Sequence, residues 1–386
     1  MALANGDSHF MAPLSIRCMA RDLALLPAWM ANNGDDVVVG SEVLQACIQM
    51  IQIHPLHLQV KAIADNCMTN NSAIQPWGWD AAITDHLTKA GISKDNLPTA
   101  EKISQWRKCS ERITSHHVLT QMMKQWDDTI YRGESYPCYS LEELKSVLKK
   151  HPHTLLKDPL SSSGKGLRHV HGTLNASKED WCRMQLKKRG YIMAEPHYQR
   201  IIDFAMEFYQ DEQEGNHFIG YSLFLTDEHG SYEGNKLCSD KDIEQELCQY
   251  VSIADLDRIK EWVITPSLRE DFNILPHYRG YWGIDMMITH NDADNSYHIH
   301  PCVEINLRLN MGILAHTLYS RFIVPQSKGF FYLRCFPTSE ALQDFTQEQQ
   351  KTHPANYIQG RILEGYCGLT PICTDTRYHA FMLVNR

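Results

Sequence analysis

Two apolar runs joined by a polar turn constrain this chain more than any other feature. Tyr281-Trp282-Gly283-Ile284-Asp285-Met286-Met287-Ile288 is followed, after Asn291-Asp292-Ala293-Asp294-Asn295-Ser296, by Cys302-Val303-Glu304-Ile305-Asn306-Leu307-Arg308. The middle segment is rich in turn formers, so the whole reads as a β-hairpin. Side chains alternate with period two along a strand, which places Glu304 and Asn306 on one face. A tip at Asp294-Asn295 sets Asp285 opposite Glu304. Three oxygen-bearing side chains then converge on one patch. Hard cations such as Mg²⁺ are held by such sets, with substrate phosphates completing the shell. The hairpin therefore marks a candidate nucleotide-using site.

At 386 residues the chain is too long for one small core, and two or three packed subdomains are expected. A net charge of -9 argues against a general nucleic-acid or anionic-membrane partner, while leaving room for a local basic pocket. The twelve cysteines show no CxxC pair and no framework spacing, which reads as reduced thiols in a cytoplasmic protein. Met1 to Asp7 lacks a basic n-region, and no apolar run is long enough to span a membrane.

Along the chain, residues 1 to about 115 read as an α/β unit. Asp36 to Gly40 is a short strand, and Ser41 is placed to cap a helix through Leu44, Ile48 and Ile51. Ala81 to Ala90 is helical and stops at Gly91. Leu97-Pro98-Thr99 opens a helix carrying Ile103, Trp106, Cys109 and Ile113. Ser140-Leu141-Glu142-Glu143 has capping-box spacing and starts a helix that ends near His151-Pro152. Thr154 to Lys157 and Arg168 to His171 read as a hairpin, and Ser177 to Gly190 as a helix. Tyr191 to Glu195, 203 to 210 and 217 to 226 read as strands, 241 to 262 as helical, and Ala380 to Val384 as a final strand.

Asp158 to Leu167 is a small-residue loop between the two strands of the first hairpin. Small residues around Gly164 and Gly166 let backbone N–H groups approach phosphate oxygens, and Lys157 and Lys165 add charge. A P-loop requires Gly-Lys followed by Ser or Thr at the start of a helix. Here Gly166 follows Lys165 and a strand comes next, so that reading is poor. On its own the loop is better read as a surface Ser/Gly segment. It gains weight from the strand lysine before it and the carboxylates after it.

In order, strand Lys157, the Ser/Gly loop, Glu195-Pro196 after an apolar strand, Asp203, Asp285 and Glu304-x-Asn306-x-Arg308 resemble the ATP-grasp superfamily, which includes D-alanine ligases, biotin carboxylases and carbamoyl phosphate synthetases. The similarity runs from about residue 120 to 325. Glu304-Ile305-Asn306-Leu307-Arg308 is its strongest motif, with Leu307 where the family has proline. A family lysine early in the central region has no clear counterpart among Ser115-His116-His117-Val118.

The resemblance implies an α+β ATP-grasp fold, two α+β lobes sandwiching ATP, preceded by an α/β pre-ATP-grasp domain. The implied divisions are 1–118 for that N-terminal domain, 119–200 for the small lobe with the phosphate loop, 201–335 for the large lobe with the Mg²⁺ site, and 336–386 for a C-terminal extension packed on the core. Lys157 would contact the α/β-phosphates. Ser161, Ser162, Ser163, Gly164, Lys165 and Gly166 would belong to the loop that closes over the triphosphate. Met193, Ala194 and Glu195 would form the hinge that reads adenine. Asp203 would contact ribose. Asp285, Glu304 and Asn306 would hold one or two Mg²⁺ ions, with Mn²⁺ as a substitute. Arg308, with Lys157, would serve catalysis by stabilising an acyl phosphate or the transferring phosphoryl group.

The implied activity is ATP-dependent ligation of a small-molecule carboxylate to an amine, without nucleic-acid or membrane partners and compatible with a homo-oligomer. A nucleotide-sensing protein that binds ATP without ligating is the second reading, and the complete metal set favours the enzyme. His298-x-His300 precedes Glu304 but lacks the helical His-Glu-x-x-His pattern, so both are read as hairpin or pocket polar groups rather than zinc ligands. Trp77, Trp79 and Trp106 are read as packing residues, His116-His117 as a helix-surface pair, and Lys187-Lys188-Arg189 as a basic last turn.

Overall fold

The structure is a computed structural model that describes residues 2–70, 72–126, 129–161, 166–211, 215–226, 232–265 and 278–386. The described residues form two compact units. One comprises Ser104–Tyr232 and Glu244–Arg308; the other comprises Ala2–Ile103, Glu233–Ile243 and Leu309–Arg386.

In chain order, the strands begin with β1 (Asp36–Val39) and β2 (Lys61–Ala64). The first unit then supplies β3 (Tyr136–Cys138), β4 (His153–Lys157), β5 (Leu167–His171), β6 (Ile192–Pro196), β7 (Gln199–Gln210) and β8 (Asn216–Thr226). After β9 (Tyr232–Leu237) come β10 (Gly280–Asn291) and β11 (Ser296–Asn306). β12 (Lys328–Cys335), β13 (Asn356–Ile358), β14 (Arg361–Gly368) and β15 (Tyr378–Asn385) complete the order.

In the unit that carries the hairpin, β3-β6-β4-β5 make a small antiparallel sheet. One face of it is dry, with Leu156, Val170, Ile192 and Ala194 packed beneath two helices through Leu144, Leu148 and Cys182. The first of these helices, Leu141–Lys150, shows why it forms. Ser140 Oγ accepts from the Glu143 N–H at 3.1 Å, acidic residues occupy the first turn and lysines the last, and Leu141, Leu144 and Leu148 share the buried stripe. The second helix, Ala176–Arg189, is capped by Asn175 and stops at Gly190 with φ +85°.

The second sheet of this unit runs β11-β10-β7-β8. Its pairing matches Trp282 with Phe208, Ile284 with Met206 and Met286 with Phe204, all buried on one apolar face. Burying each of these side chains is worth about 1.5–3 kcal/mol. Period two therefore sends Asp203, Glu207 and Asp285 to the other face. The dry face fixes the register, and the register delivers the polar residues.

The other unit pairs β1 with β2 in parallel beside the helix Leu44–Ile53, and orders β9-β12-β15-β14-β13 in an antiparallel sheet. Among the described residues no helix is long and apolar enough to cross a membrane.

Several element boundaries differ from the sequence reading. The expected helix through Ile113 breaks after Cys109, and a separate helix, Arg112–Gln125, carries Ile113. The stretch 241 to 262 is two helices, Asp240–Leu247 and Ile253–Ile264. A full capping box between Ser252 and Asp255 starts the second. Ser41 is not the cap of its helix; Val43 holds that position without a side-chain bond. The hairpin tip lies one residue earlier than expected, since Asn291 pairs with Ser296. A bulge between Asp285 and Met287 then shifts the pairing by two residues, so Asp285 does face Glu304.

Candidate active site

Asp285 on β10 lies directly opposite Glu304 on β11, and Asn306 lies opposite Gly283 on the same face. The Asn306 amide N–H donates to Asp285 Oδ2 at 3.1 Å, and its carbonyl accepts from Arg308 Nη2 at 2.7 Å. Arg308, Asn306 and Asp285 thus form one polar chain leading to the facing carboxylates. Glu304 is held from the other side by Arg112 Nη2 at 2.9 Å.

Burial and the facing Glu304 raise the Asp285 carboxyl to about 7. A carboxyl whose folded pKa exceeds its unfolded one binds more protons when folded. Its contribution to stability therefore declines as pH rises from about 4 to about 7. We expect the denaturation midpoint of the nucleotide-free protein to fall across that window, with Asp285→Asn flattening the decline. A wild-type profile matching that of the variant would remove Asp285 as the group responsible.

Lys157 ends β4, and its Nζ meets Glu195 Oε2 at 2.5 Å, with each side chain only 6% exposed. Glu195 sits on β6, the strand paired with β4, where Leu155 faces Glu195 and Lys157 faces Met193. Lys157, Met193 and Glu195 therefore share the face of the small sheet opposite its dry core, and Ala194 points into that core.

The loop after Lys157 is tied at its base. The Asp158 N–H donates to the Gly166 carbonyl at 3.0 Å, and the Leu160 N–H donates to Asp158 Oδ1 at 2.9 Å. Gly166 has φ +90°, and a Cβ there would lie 2.9 Å from Asp158 Cβ and 3.1 Å from Ser161 Cβ. Gly166→Ala should cost about 1–2 kcal/mol in urea unfolding, because both backbone conformation and space oppose a side chain. An unchanged midpoint would show that the loop base has another conformation. Ser161 is placed beside Gly166, whereas Ser162, Ser163, Gly164 and Lys165 lie outside the described residues.

Asp203 is on β7, opposite Met287, and pairs with Arg200 at 2.8 Å and with the Thr226 hydroxyl at 3.4 Å. Burial raises its pKa against the opposing pull of Arg200. It shares the polar sheet face with Asp285.

Two residues on or beside this face escaped the sequence reading. Arg112 opens its helix and is buried. Beyond Glu304, its Nε donates to the Asp158 carbonyl at 3.3 Å and its backbone N–H donates to the Pro159 carbonyl at 2.9 Å. One guanidinium therefore joins the loop base to Glu304 on β11. The sequence signal was the Ser110-Glu111 break between two helices, which an unbroken helix through Ile113 conceals. Glu207, also buried, lies opposite Gly283 and shares the face of Asp285. It is an acidic residue within the alternating run of β7, so period two was its signal. His298 is a hairpin residue, with Nδ1 against the Thr129 carbonyl at 2.8 Å and Nε2 against the Ser296 hydroxyl at 2.7 Å.

No family model matches the sequence, and no curated protein matches it. Solved structures do. The chain superposes on a biotin carboxylase from Campylobacter jejuni in complex with β,γ-ATP with TM-score 0.52 at 11% identity, covering 94% of this chain and 85% of that one. It superposes on the biotin carboxylase domain of the 2-oxoglutarate carboxylase from Hydrogenobacter thermophilus, complexed with MgADP, ADP and bicarbonate, with TM-score 0.51 at 10% identity, covering 95% and 84%. For pyruvate carboxylase from Rhizobium etli the values are TM-score 0.51 and 12% identity, covering 95% of this chain and 35% of that chain. These are ATP-grasp proteins. The chain has the ATP-grasp fold.

The patch is chemically suited to a hard cation. It offers the oxygens of two carboxylates that face one another, one of which holds its proton unusually well, while Asn306 turns its amide N–H toward Asp285. A divalent cation would relieve that opposition. Among the described residues, no group of three or more His, Cys, Asp or Glu side chains is arranged to hold a metal. The patch matches the Mg²⁺ habit of taking one or two carboxylates plus phosphates, rather than a closed protein cage.

Proposed function

We propose that this ATP-grasp chain is an ATP-dependent ligase that activates a carboxylate as an acyl phosphate and joins it to an amine. The observation that carries the reading is the Asp285–Glu304 pair, with Asn306 and Arg308 chained to it, in the same compact unit as the Lys157–Glu195 pair. In this reading the divisions 119–200 and 201–335 act as the two lobes, 1–118 precedes them, and 336–386 follows them as an extension.

Phosphoryl transfer asks a protein mostly for positioning and charge neutralisation. Lys157 meets the α/β-phosphates. Ser161 and Gly166 belong to the loop that covers the triphosphate and excludes water, together with Ser162, Ser163, Gly164 and Lys165. Met193, Ala194 and Glu195 read the base, and Asp203 meets the ribose. Asp285, Glu304 and Asn306 would hold Mg²⁺, which would supply neutralisation of phosphate charge.

The substrate carboxylate oxygen attacks the γ-phosphorus and ADP leaves. The amine then attacks the acyl carbon, and inorganic phosphate leaves. Arg308 offers a planar fork to the acyl phosphate between those two steps. The ATP, MgADP and bicarbonate held by the matched carboxylases support a nucleotide and a small carboxylate-like acceptor here.

The test is ADP release from Mg²⁺ and ATP across a panel of carboxylates and amines. Release that needs both a carboxylate and an amine is the expected result. ATP binding without release from any pair would move the chain to the binding-only reading.

A further inference from the structure

His300 is buried to 1% exposure on β11, yet neither of its ring nitrogens has a hydrogen-bond partner on another described residue; the ring reaches only its own backbone. A neutral imidazole always carries one N–H donor, and burying it unpaired is unfavourable. The ring is confined. Tyr198 meets it edge-on at 5.5 Å, and a side chain at Gly133 would come within 2.9 Å of Nε2. It belongs to the polar sheet face, opposite Met287, which in turn faces Asp203. The charged groups that act on it are Glu195 on β6 and Lys157 on β4. Burial is the larger influence and lowers its pKa to about 4, so the ring is neutral near pH 7.

Glu195 has the complementary problem. It is as buried as Lys157, and Lys157 is its ion-pair partner at 2.5 Å. On the nucleotide reading above, which this inference presupposes, Lys157 must turn its ammonium toward phosphate. That movement takes the cation from a buried carboxylate. Arg112 also acts on that carboxylate but makes no hydrogen bond to it, so losing the direct partner is still unfavourable. An unpaired donor and an acceptor about to lose its donor thus lie in one neighbourhood.

We propose that His300 is a positioning residue that donates a hydrogen bond to Glu195 when ATP draws Lys157 away. Lys157 and His300 exchange as partners of the same carboxylate. His300 does not touch the reacting atoms; it lowers the cost of releasing the lysine that does.

The test measures ATP affinity by calorimetry and thermal midpoint without nucleotide, using the full chain. His300→Leu removes the donor at similar volume. It should weaken ATP binding about tenfold while leaving the nucleotide-free midpoint equal or higher, because an unpaired buried polar group has been removed. His300→Gln keeps a donor and should restore most of the affinity. In a Glu195→Gln background there is no charge to compensate, and His300→Leu should then change affinity little. A merely structural histidine would lower the midpoint and leave the affinity of the folded protein alone. Wild-type affinity in His300→Leu, or equal losses in both backgrounds, overturns this proposal and leaves the nucleotide reading standing. A wild-type chain that binds no ATP overturns both.

Discussion

If the proposed ligase reading holds, Glu304→Gln should abolish Mg²⁺-dependent nucleotide turnover while the protein stays folded. This is the largest effect expected of any single substitution in the chain. The amide keeps an oxygen for Arg112, which now bonds Glu304 at 2.9 Å, so the buried guanidinium is not left alone. Glu304→Ala removes both the charge and that partner, and part of its effect would be lost stability. The pair of variants separates the two. A loss of about 100-fold or more in turnover, about 3 kcal/mol, in both variants with an unchanged urea midpoint in Glu304→Gln identifies the carboxylate as a metal ligand. Unimpaired turnover in Glu304→Gln would sink the metal-site assignment.

On the same reading, Lys157→Ala should weaken ATP binding by about tenfold or more. Its side effect is predictable as well. Lys157 and Glu195 are each 6% exposed, so truncating one leaves a buried carboxylate without its cation. A loss of about 3–5 kcal/mol in stability is expected from breaking such a pair. The double variant Lys157→Met, Glu195→Gln removes both charges and should recover most of the stability without recovering the affinity. That cycle keeps a folding defect from being read as a binding defect. Wild-type affinity in the double variant would place the triphosphate elsewhere on the chain.

The pairing of Asp285 with Glu304 shows how far the sequence could be read. The turn formers and the alternation predicted a hairpin, and the predicted partners do meet. Yet the tip is displaced by one residue and a bulge restores the pairing. Alternation tells which residues share a face; it does not contain the bulge between Asp285 and Met287. Arg112 was hidden for a related reason. Helical periodicity continues through Ser110-Glu111, so only the structure reveals a break that sets a new first turn beneath Asp158 and Glu304. The second split, before Ile253, had a readable Ser-x-x-Asp cap that the longer apolar pattern overrode.

By itself the sequence determined the local facts: a Ser/Gly loop after a strand lysine, an acid-bearing hairpin, and apolar alternation that commits one sheet face to a core. Those follow from short-range rules of strand period, turn chemistry and small-residue spacing. Only the tertiary structure decided which distant groups share one environment. It set Lys157 against Glu195, Arg112 against Glu304, and His300 within the field of the first pair with no partner on another residue. The physical reason is desolvation. A charge in water needs no particular neighbour, whereas one taken into the interior must be matched there, and that matching joins residues far apart in the chain.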